Sequence, residues 1–326
     1  QYGQDEGAVG YLLGEENRGL DCMFLMMNSA RYDVGLQGLA IAERAYQQAV
    51  SYARDRVQGT PLEGEKGQAI VHHPDVLRLL TGMRAEIEAM RALLLVGGLS
   101  LDRAHHLSGD EAEQWQARAN LLIPVIKGWM TERSLQLTSD AVQVHGGMGF
   151  IEETGAAQHF RDARILPIYE GTTAIQANDL VFRKTLRDNG AAVRDLIEEI
   201  RSDMNDISGS GNGVAGLAAN VTGACDVAEG ALDTVLARAN APRDAAASGT
   251  DFLMMLGYLG GGWQLARAAA AAATAKEKGE GDPAFMDAKQ ATANAYMAYG
   301  LPEVAKMAAK ISAGPDALAA MDADWL

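Results

Sequence analysis

The chain is poor in cysteine and in clustered positive charge, and both shortages limit what it can do. Its two cysteines, Cys22 and Cys225, lie far apart among apolar residues. A disulfide between them is possible, but the favoured prediction is two buried free thiols in a reducing cytosol, hence a cytoplasmic protein. Lysine and arginine total 28 against 43 acidic residues, a net charge of −15, and no basic face stands out. This charge pattern argues against nucleic acid and anionic membranes as partners.

Long apolar runs and metal-ligand spacings are also missing. No stretch reaches the ~18 apolar residues that a bilayer-spanning helix needs, so no membrane segment is predicted. The pairs His72–His73 and His105–His106 have no cysteine or carboxylate at ligand spacing, so no metal site is expected. The chain begins with Gln1 and has no signal-like core, which predicts a piece of a longer protein.

Apolar residues recur at helical spacing along most of the chain, whereas the strand signal is weak. A bundle of four helices is predicted within residues 20–187, and a boundary follows at 188–190. A second, smaller helical domain is predicted for residues 190–326. The prediction is therefore an all-α chain. The expected helices lie at about 20–56, from Pro74 onward, at 108–144, 172–187, 191–206, 214–241, 247–278, 284–299 and 301–312.

Three local features qualify this pattern. Residues 1–19 are rich in glycine and are predicted to be the last strand and turn of a part of the protein that lies upstream. Pro124 is expected to kink or split the third helix. The segment SGSGNG at 208–213 is predicted to be a flexible connector, because it lacks the Lys-Ser/Thr ending of a phosphate loop.

One glutamate stands in an unusual setting. Glu170 follows the apolar run Ile165–Tyr169 and precedes Gly171. Desolvation by aliphatic and aromatic neighbours raises the pKa of a carboxylate and makes it a usable base near neutrality. The glycine lets a ligand approach the backbone closely. Glu170 is therefore the candidate catalytic residue and Gly171 a candidate substrate contact.

The segment around Glu170 resembles the C-terminal signature of the acyl-CoA dehydrogenases, flavoenzymes that desaturate acyl thioesters. Further motifs extend the resemblance over about residues 1–187, and the longer members that act on 3-methylmercaptopropionyl-CoA are the most similar. The matching motifs are LLGEENRGL (Leu12–Leu20), NSAR (Asn28–Arg31), YARDRVQG (Tyr52–Gly59), QVHGGMGF (Gln143–Phe150), FRDARI (Phe160–Ile165) and IYEGTTAIQ (Ile168–Gln176). The first motif resembles the exit from the family's middle β-domain, which implies that residues 1–19 are the end of that domain.

The resemblance implies a mechanism and its partners. Glu170 would take the pro-R α-proton of an acyl-CoA, and its backbone N–H would hold the thioester oxygen together with a flavin ribityl hydroxyl. A hydride would pass from the β-carbon to N5 of FAD, and the reduced cofactor would pass electrons to an electron-transferring flavoprotein. A homodimer or a dimer of dimers is expected.

The resemblance also implies two sets of cofactor contacts and one further substrate contact. Arg31 would lie near the CoA moiety. Thr172 and Ala174 would touch the FAD of their own subunit. The contacts to the FAD of a neighbouring subunit would be Arg56, Gln58, Gln143, Val144, Gly146 and Gly147. Two positions depart from the family pattern: Gln58 is followed directly by Gly59 where a Phe-Gly pair is usual, and Asn28 replaces a frequent aspartate.

Two alternatives remain open from sequence. An acyl-CoA oxidase shares this architecture but passes electrons to oxygen. A helical fragment that only mediates oligomerisation would lack catalysis, because the family encloses flavin and substrate with further N-terminal and β-domains. The role of residues 190–326 is open as well, since they could pack against the bundle or extend a dimer interface.

Overall fold

The computed structural model describes residues 2–209 and 213–325, and most of them are helical. The described residues hold no strand beyond an isolated bridge between Val57 and Ala69, so the all-α prediction is confirmed. The first segment, defined as residues 2–187, contains α1 (Gly19–Asp55), α2 (Pro74–His106), α3 (Gly109–His145), α4 (Gly147–Phe150), α5 (Ala156–Ala163) and α6 (Thr173–Asn178). The second segment, defined as the described residues from 190 onward, contains α7 (Ala191–Gly209), α8 (Ala215–Ala237), α9 (Pro242–Glu277), α10 (Pro283–Tyr299) and α11 (Glu303–Ala319).

Proline and glycine mark the helix ends as expected. Pro74 occupies the first turn of α2, where the missing N–H has no intrahelical partner in any case. Gly146 ends α3 with φ +60°, a backbone conformation that L side chains rarely adopt. Pro124 lies inside α3 and does not split it: the helix continues without a break from Gly109 to His145.

The predicted fourth helix at 172–187 is wrong in length and in type. Helix α6 has only six residues, and a π-helical turn follows at Asp179–Arg183. This wider turn carries Asp179, which forms a buried ion pair with Arg31 of α1. The backbone then leaves the helix, and the N–H of Gly190 bonds to the carbonyl of Thr185. A tertiary ion pair and a turn therefore accompany the early end of this helix.

Two glycine-rich stretches, residues 1–19 and 208–213, can be compared with their predictions. Residues 2–18 form turns and exposed coil, so the strand predicted within 1–19 is absent; a strand needs a paired neighbour, and the described residues supply none there. The assignment of 1–19 to an upstream β-domain stays a prediction. The predicted connector at 208–213 includes residues 210–212, which lie outside the described residues.

Helix α9 joins the second segment to the first. It packs against α2, α3 and α6 of the first segment and against α8, α10 and α11 of the second, and the buried apolar residues of both segments form one cluster. At the crossing with α3, a Cβ on Gly257 would lie 2.2 Å from Cγ of Trp129, so only glycine allows this close approach. The described residues from 190 onward thus pack against the bundle, one of the two roles left open by the sequence.

Candidate active site

The turn between α5 and α6 carries Glu170. The backbone N–H groups of Ile168 and Tyr169 both bond to the carbonyl of Ile165 at 3.0 Å, and the N–H of Thr173 bonds to the carbonyl of Pro167 at 3.0 Å. Pro167 and its neighbour Leu166 are buried. These contacts close a compact turn, here called the Glu170 turn and defined as residues 166–171.

Glu170 and Gly171 both adopt the left-handed backbone conformation. Their φ values are +56° and +88°, and a glutamate reaches this region only at a cost of about 1 kcal/mol or more. A Cβ on Gly171 would lie 2.9 Å from Nε2 of Gln176. That Nε2 donates to the carbonyls of Glu170, at 3.3 Å, and Gly171, at 3.1 Å. The sequence therefore needs glycine after Glu170, and Gln176 holds the pair of carbonyls from the side of α6.

The functional groups of Glu170 itself are free within the described chain. Its side chain is partly buried, and no described residue forms a hydrogen bond or an ion pair with its carboxylate. No described acceptor binds its backbone N–H either. A carboxylate and an N–H that lie on one fixed residue can accept a proton and donate a hydrogen bond to the same ligand.

The apolar neighbours of Glu170 are more exposed than the sequence suggested. Ile168 is 44% exposed, Tyr169 37% and Ile175 48%, although the hydroxyl of Tyr169 donates to Oε1 of Gln37. The expected desolvation of Glu170 by these residues is thus incomplete within this chain. Clustered exposed apolar side chains commonly mark a surface that contacts another molecule or segment.

A lysine that the sequence analysis missed lies beneath the Glu170 turn. Lys127 is 0% exposed, and its Nζ donates to the carbonyl of Leu166 at 2.9 Å and to that of Gly171 at 2.7 Å. Burial lowers the pKa of Lys127 to about 8, opposed by the negative charges of Glu132 and Glu170 and assisted by Arg31. The available signal was a lone charged residue in the apolar run Leu121–Met130 of α3.

The depressed pKa of Lys127 predicts a pH-dependent stability. Between the folded pKa of about 8 and the unfolded value of 10.5, the unfolded chain binds more protons, so the free energy of unfolding rises with pH. We expect a gain on the order of 2 kcal/mol from pH 7.5 to pH 10 relative to Lys127→Met. Urea unfolding of both proteins at the two pH values measures it. Equal pH dependence in the two proteins would contradict the expectation.

A buried ion pair borders the same turn. Nη1 of Arg31 lies 2.9 Å from Oδ2 of Asp179, and the two side chains are 6% and 10% exposed. Nε of Arg31 is buried without a described partner. Glu132 completes the group by accepting a 2.6 Å hydrogen bond from the hydroxyl of Thr173. Arg31 is thus brought close to the Glu170 turn, and its proposed contact with CoA stays a prediction; Asp179 and Glu132 were missed by sequence reasoning.

The remaining predicted residues fall into two groups. Thr172 and Ala174 are exposed at the start of α6, next to Glu170, and the Thr172 hydroxyl caps the helix through the N–H of Ile175. The second group lies where α1 and α3 end. There Nη2 of Arg56 donates to Oε1 of Gln58 at 3.2 Å. No hydrogen bond or ion pair between described residues joins the two groups.

The second group borders an open cleft of about 460 Å³ that Tyr52, Arg56 and His145 help to line. Nδ1 of His145 donates to the carbonyl of Ala141 at 2.7 Å, and its ring stacks on Tyr52, so this histidine is held by the structure on both sides. The residues predicted beside it differ in exposure. Val144 is buried, so only its backbone could reach a ligand, whereas Gln143, Gly146 and Gly147 are exposed.

The cysteines, the acidic and histidine side chains and the apolar helices complete the description of the chain. Both cysteines are free, but only Cys225 is buried; Cys22 is exposed near the start of α1, so its predicted burial is wrong. Within residues 2–209 and 213–325, no three His, Cys, Asp or Glu side chains are grouped as for a metal ion. In the same part of the chain, no helix is long and apolar enough to cross a bilayer.

The described part of the chain is thus an all-α protein that presents the unpaired carboxylate of Glu170 on a fixed turn. An incompletely covered apolar surface lies next to that turn. The chain belongs to the acyl-CoA dehydrogenase family. Residues 17–184 match the family "Acyl-CoA dehydrogenase, C-terminal domain", and residues 193–322 match "Acetyl-CoA dehydrogenase C-terminal like".

Individual relatives give the same assignment. The chain is 48% identical over 96% of its length to a 3-methylmercaptopropionyl-CoA dehydrogenase from Ruegeria pomeroyi. It is 34% identical over 90% of its length to a broad-specificity linear acyl-CoA dehydrogenase from Mycobacterium tuberculosis. It covers 54% and 51% of these two proteins, so it spans about half the length of the curated relatives it matches.

A solved structure shares the fold. The structure is an acyl-CoA dehydrogenase from Bacillus anthracis complexed with FAD. It superposes with a TM-score of 0.68 at 20% identity, covering 96% of this chain and 52% of that one. At this identity the similarity concerns the fold alone.

Proposed function

We propose that the chain works as the C-terminal half of an FAD-dependent acyl-CoA dehydrogenase in which Glu170 abstracts the α-proton of the acyl thioester. One observation carries the proposal: the Glu170 carboxylate and its backbone N–H are both unpaired among the described residues, on a turn whose carbonyls are firmly held. A base must be free to accept a proton, and an oxyanion donor must be free to bind oxygen.

The chemistry divides between the chain and its cofactor. The Glu170 carboxylate takes the proton from the α-carbon, and its N–H stabilises the negative charge that develops on the thioester oxygen. The chemistry that FAD supplies when bound is acceptance of the hydride from the β-carbon. Because the turn is fixed before substrate binds, little reorganisation is needed in the transition state.

The residues present fit a flavin dinucleotide shared between subunits. Arg56 offers an exposed guanidinium to a pyrophosphate at the 460 Å³ cleft, and a Cβ built on Gly146 or Gly147 meets nothing within 4 Å, so a ligand can approach the backbone there. The described residues do not connect this cleft to the Glu170 turn. We therefore propose that each group serves a different FAD, which requires at least a homodimer.

The substrate is proposed from the name of one relative, and the electron acceptor from the family resemblance. We propose 3-methylmercaptopropionyl-CoA as the substrate, since the Ruegeria pomeroyi relative carries that name. An electron-transferring flavoprotein is the proposed acceptor of the electrons. A panel of 3-methylmercaptopropionyl-, butyryl- and palmitoyl-CoA tests the substrate; we expect at least about tenfold higher kcat/KM for the first, a difference that a few apolar contacts can provide. Equal values for all three would contradict this choice.

Flavin absorbance and the formation of hydrogen peroxide distinguish the proposed dehydrogenase from the two alternatives. The full-length protein should absorb near 450 nm, and anaerobic acyl-CoA should bleach that band. The isolated 326-residue chain should be colourless after desalting, because half of a cofactor site loses most of its binding energy. Hydrogen peroxide formed at the rate of turnover would identify an oxidase instead. A full-length protein without flavin would favour the non-catalytic helical module.

A further inference from the structure

The buried lysine of α3, Lys127, is bound by backbone carbonyls of the Glu170 turn. Lys127 is fully buried, and burying an ammonium group is costly unless it is paired. Nevertheless no described carboxylate lies within ion-pair distance of its Nζ. Its two acceptors are both backbone carbonyls, those of Leu166 and Gly171.

These two carbonyls mark the ends of the Glu170 turn. One ammonium therefore joins the first and last residues of the segment that presents the base, at 2.9 and 2.7 Å. Glu170 needs this support, because it is a non-glycine residue in the left-handed conformation, and such strain persists only where the surroundings enforce it. Gln176 provides the second donor to the same Gly171 carbonyl.

Resting on the proposed function, we propose that Lys127 is a positioning residue for the base Glu170: its ammonium group clamps the Glu170 turn so that the carboxylate and the N–H keep their catalytic orientation. The charged groups that act on Lys127 are Glu132 on its own helix, Arg31 on α1 and Glu170 on the turn. Among these, only Glu170 belongs to the segment that the ammonium holds. Loss of the clamp should change the rate of proton abstraction more than the binding of substrate.

Two substitutions in the full-length, FAD-loaded protein test the clamp. Lys127→Met keeps the length and removes all donors, and we expect kcat to fall about a hundredfold while KM for acyl-CoA changes less than about threefold, since small misplacements of a catalytic group cost that much. Lys127→Gln keeps two donors without the charge and should recover about a tenth of the wild-type kcat. The matched control is Lys289→Met, which removes a partly buried lysine paired with Glu88 and should leave kcat unchanged.

Three results would overturn the proposed positioning role of Lys127. A kcat within threefold of wild type in FAD-loaded Lys127→Met would overturn the proposal, as would a rise in KM with unchanged kcat. Failure of both Lys127 variants to retain FAD would assign the lysine a purely structural role and would overturn it as well. An inactive wild-type protein would instead refute the proposed function, so the two failures are distinguishable.

Discussion

Replacing Glu170 with glutamine in the full-length protein should lower kcat by a factor of about 10⁴, the upper part of the range for a removed general base. The amide has nearly the same shape but cannot accept the α-proton. Binding of acyl-CoA should persist, because the backbone N–H and the turn are unchanged by the substitution. Stopped-flow reduction of the flavin band near 450 nm gives the rate, and the spectral shift on mixing reports binding.

The matched control for this prediction is Glu153→Gln. Glu153 undergoes the same chemical change, lies in the preceding connection, between α4 and α5, and is exposed. Its substitution should leave kcat within about twofold, since surface changes away from special features have small effects. A Glu170→Gln protein with kcat within tenfold of wild type would remove Glu170 from the role of base.

Replacing Gly257 with alanine should lower the free energy of unfolding by about 3 kcal/mol, the upper end of the usual cost of overpacking a core. The added Cβ would lie 2.2 Å from Cγ and 2.6 Å from Cβ of Trp129, whose side chain is completely buried. Helices α9 and α3 cannot move apart without breaking other contacts in the core. Urea unfolding followed by far-UV circular dichroism measures the change.

The same substitution is expected to raise the free energy of unfolding at a helical glycine that has open space around it. Gly230 lies in α8, is exposed, and a Cβ built there meets nothing within 4 Å. Gly230→Ala should therefore stabilise the chain by about 0.5–1 kcal/mol, because alanine loses less backbone entropy in a helix. If Gly257→Ala stabilised the chain equally, α9 would not pack against α3 as described.

Local sequence signals predicted the helices well because the deciding residues act locally. Pro74 starts α2 and Gly146 ends α3 through their own backbone preferences. The fourth helix was predicted too long because its apolar pattern continues to Arg187, whereas the actual backbone follows a π-helical turn at Asp179. The ion pair of Asp179 with Arg31 joins residues 148 positions apart, which periodicity does not register.

In the candidate site, too, local sequence predicts some residues and misses those whose partners are distant in the chain. Glu170 and Gly171 could be singled out from sequence, because the unusual carboxylate and the glycine it needs are adjacent. Lys127 could not, since its carbonyl partners lie 39 and 44 residues away and backbone carbonyls leave no trace in residue identity. Whether the N–H of Glu170 is free likewise depends on the folded turn. The exposure of Ile168 and Tyr169 depends on which segments cover them, so their burial was overestimated.

Exchange of the substrate α-proton with solvent deuterium tests most directly whether Glu170 removes that proton. The full-length protein should be incubated in D₂O with an acyl-CoA analogue that cannot lose a β-hydride, and the α-hydrogens followed by NMR. Wild-type protein should exchange one α-hydrogen, and Glu170→Gln should exchange it at least about a hundredfold more slowly. Exchange at the wild-type rate in Glu170→Gln would show that another group takes the proton.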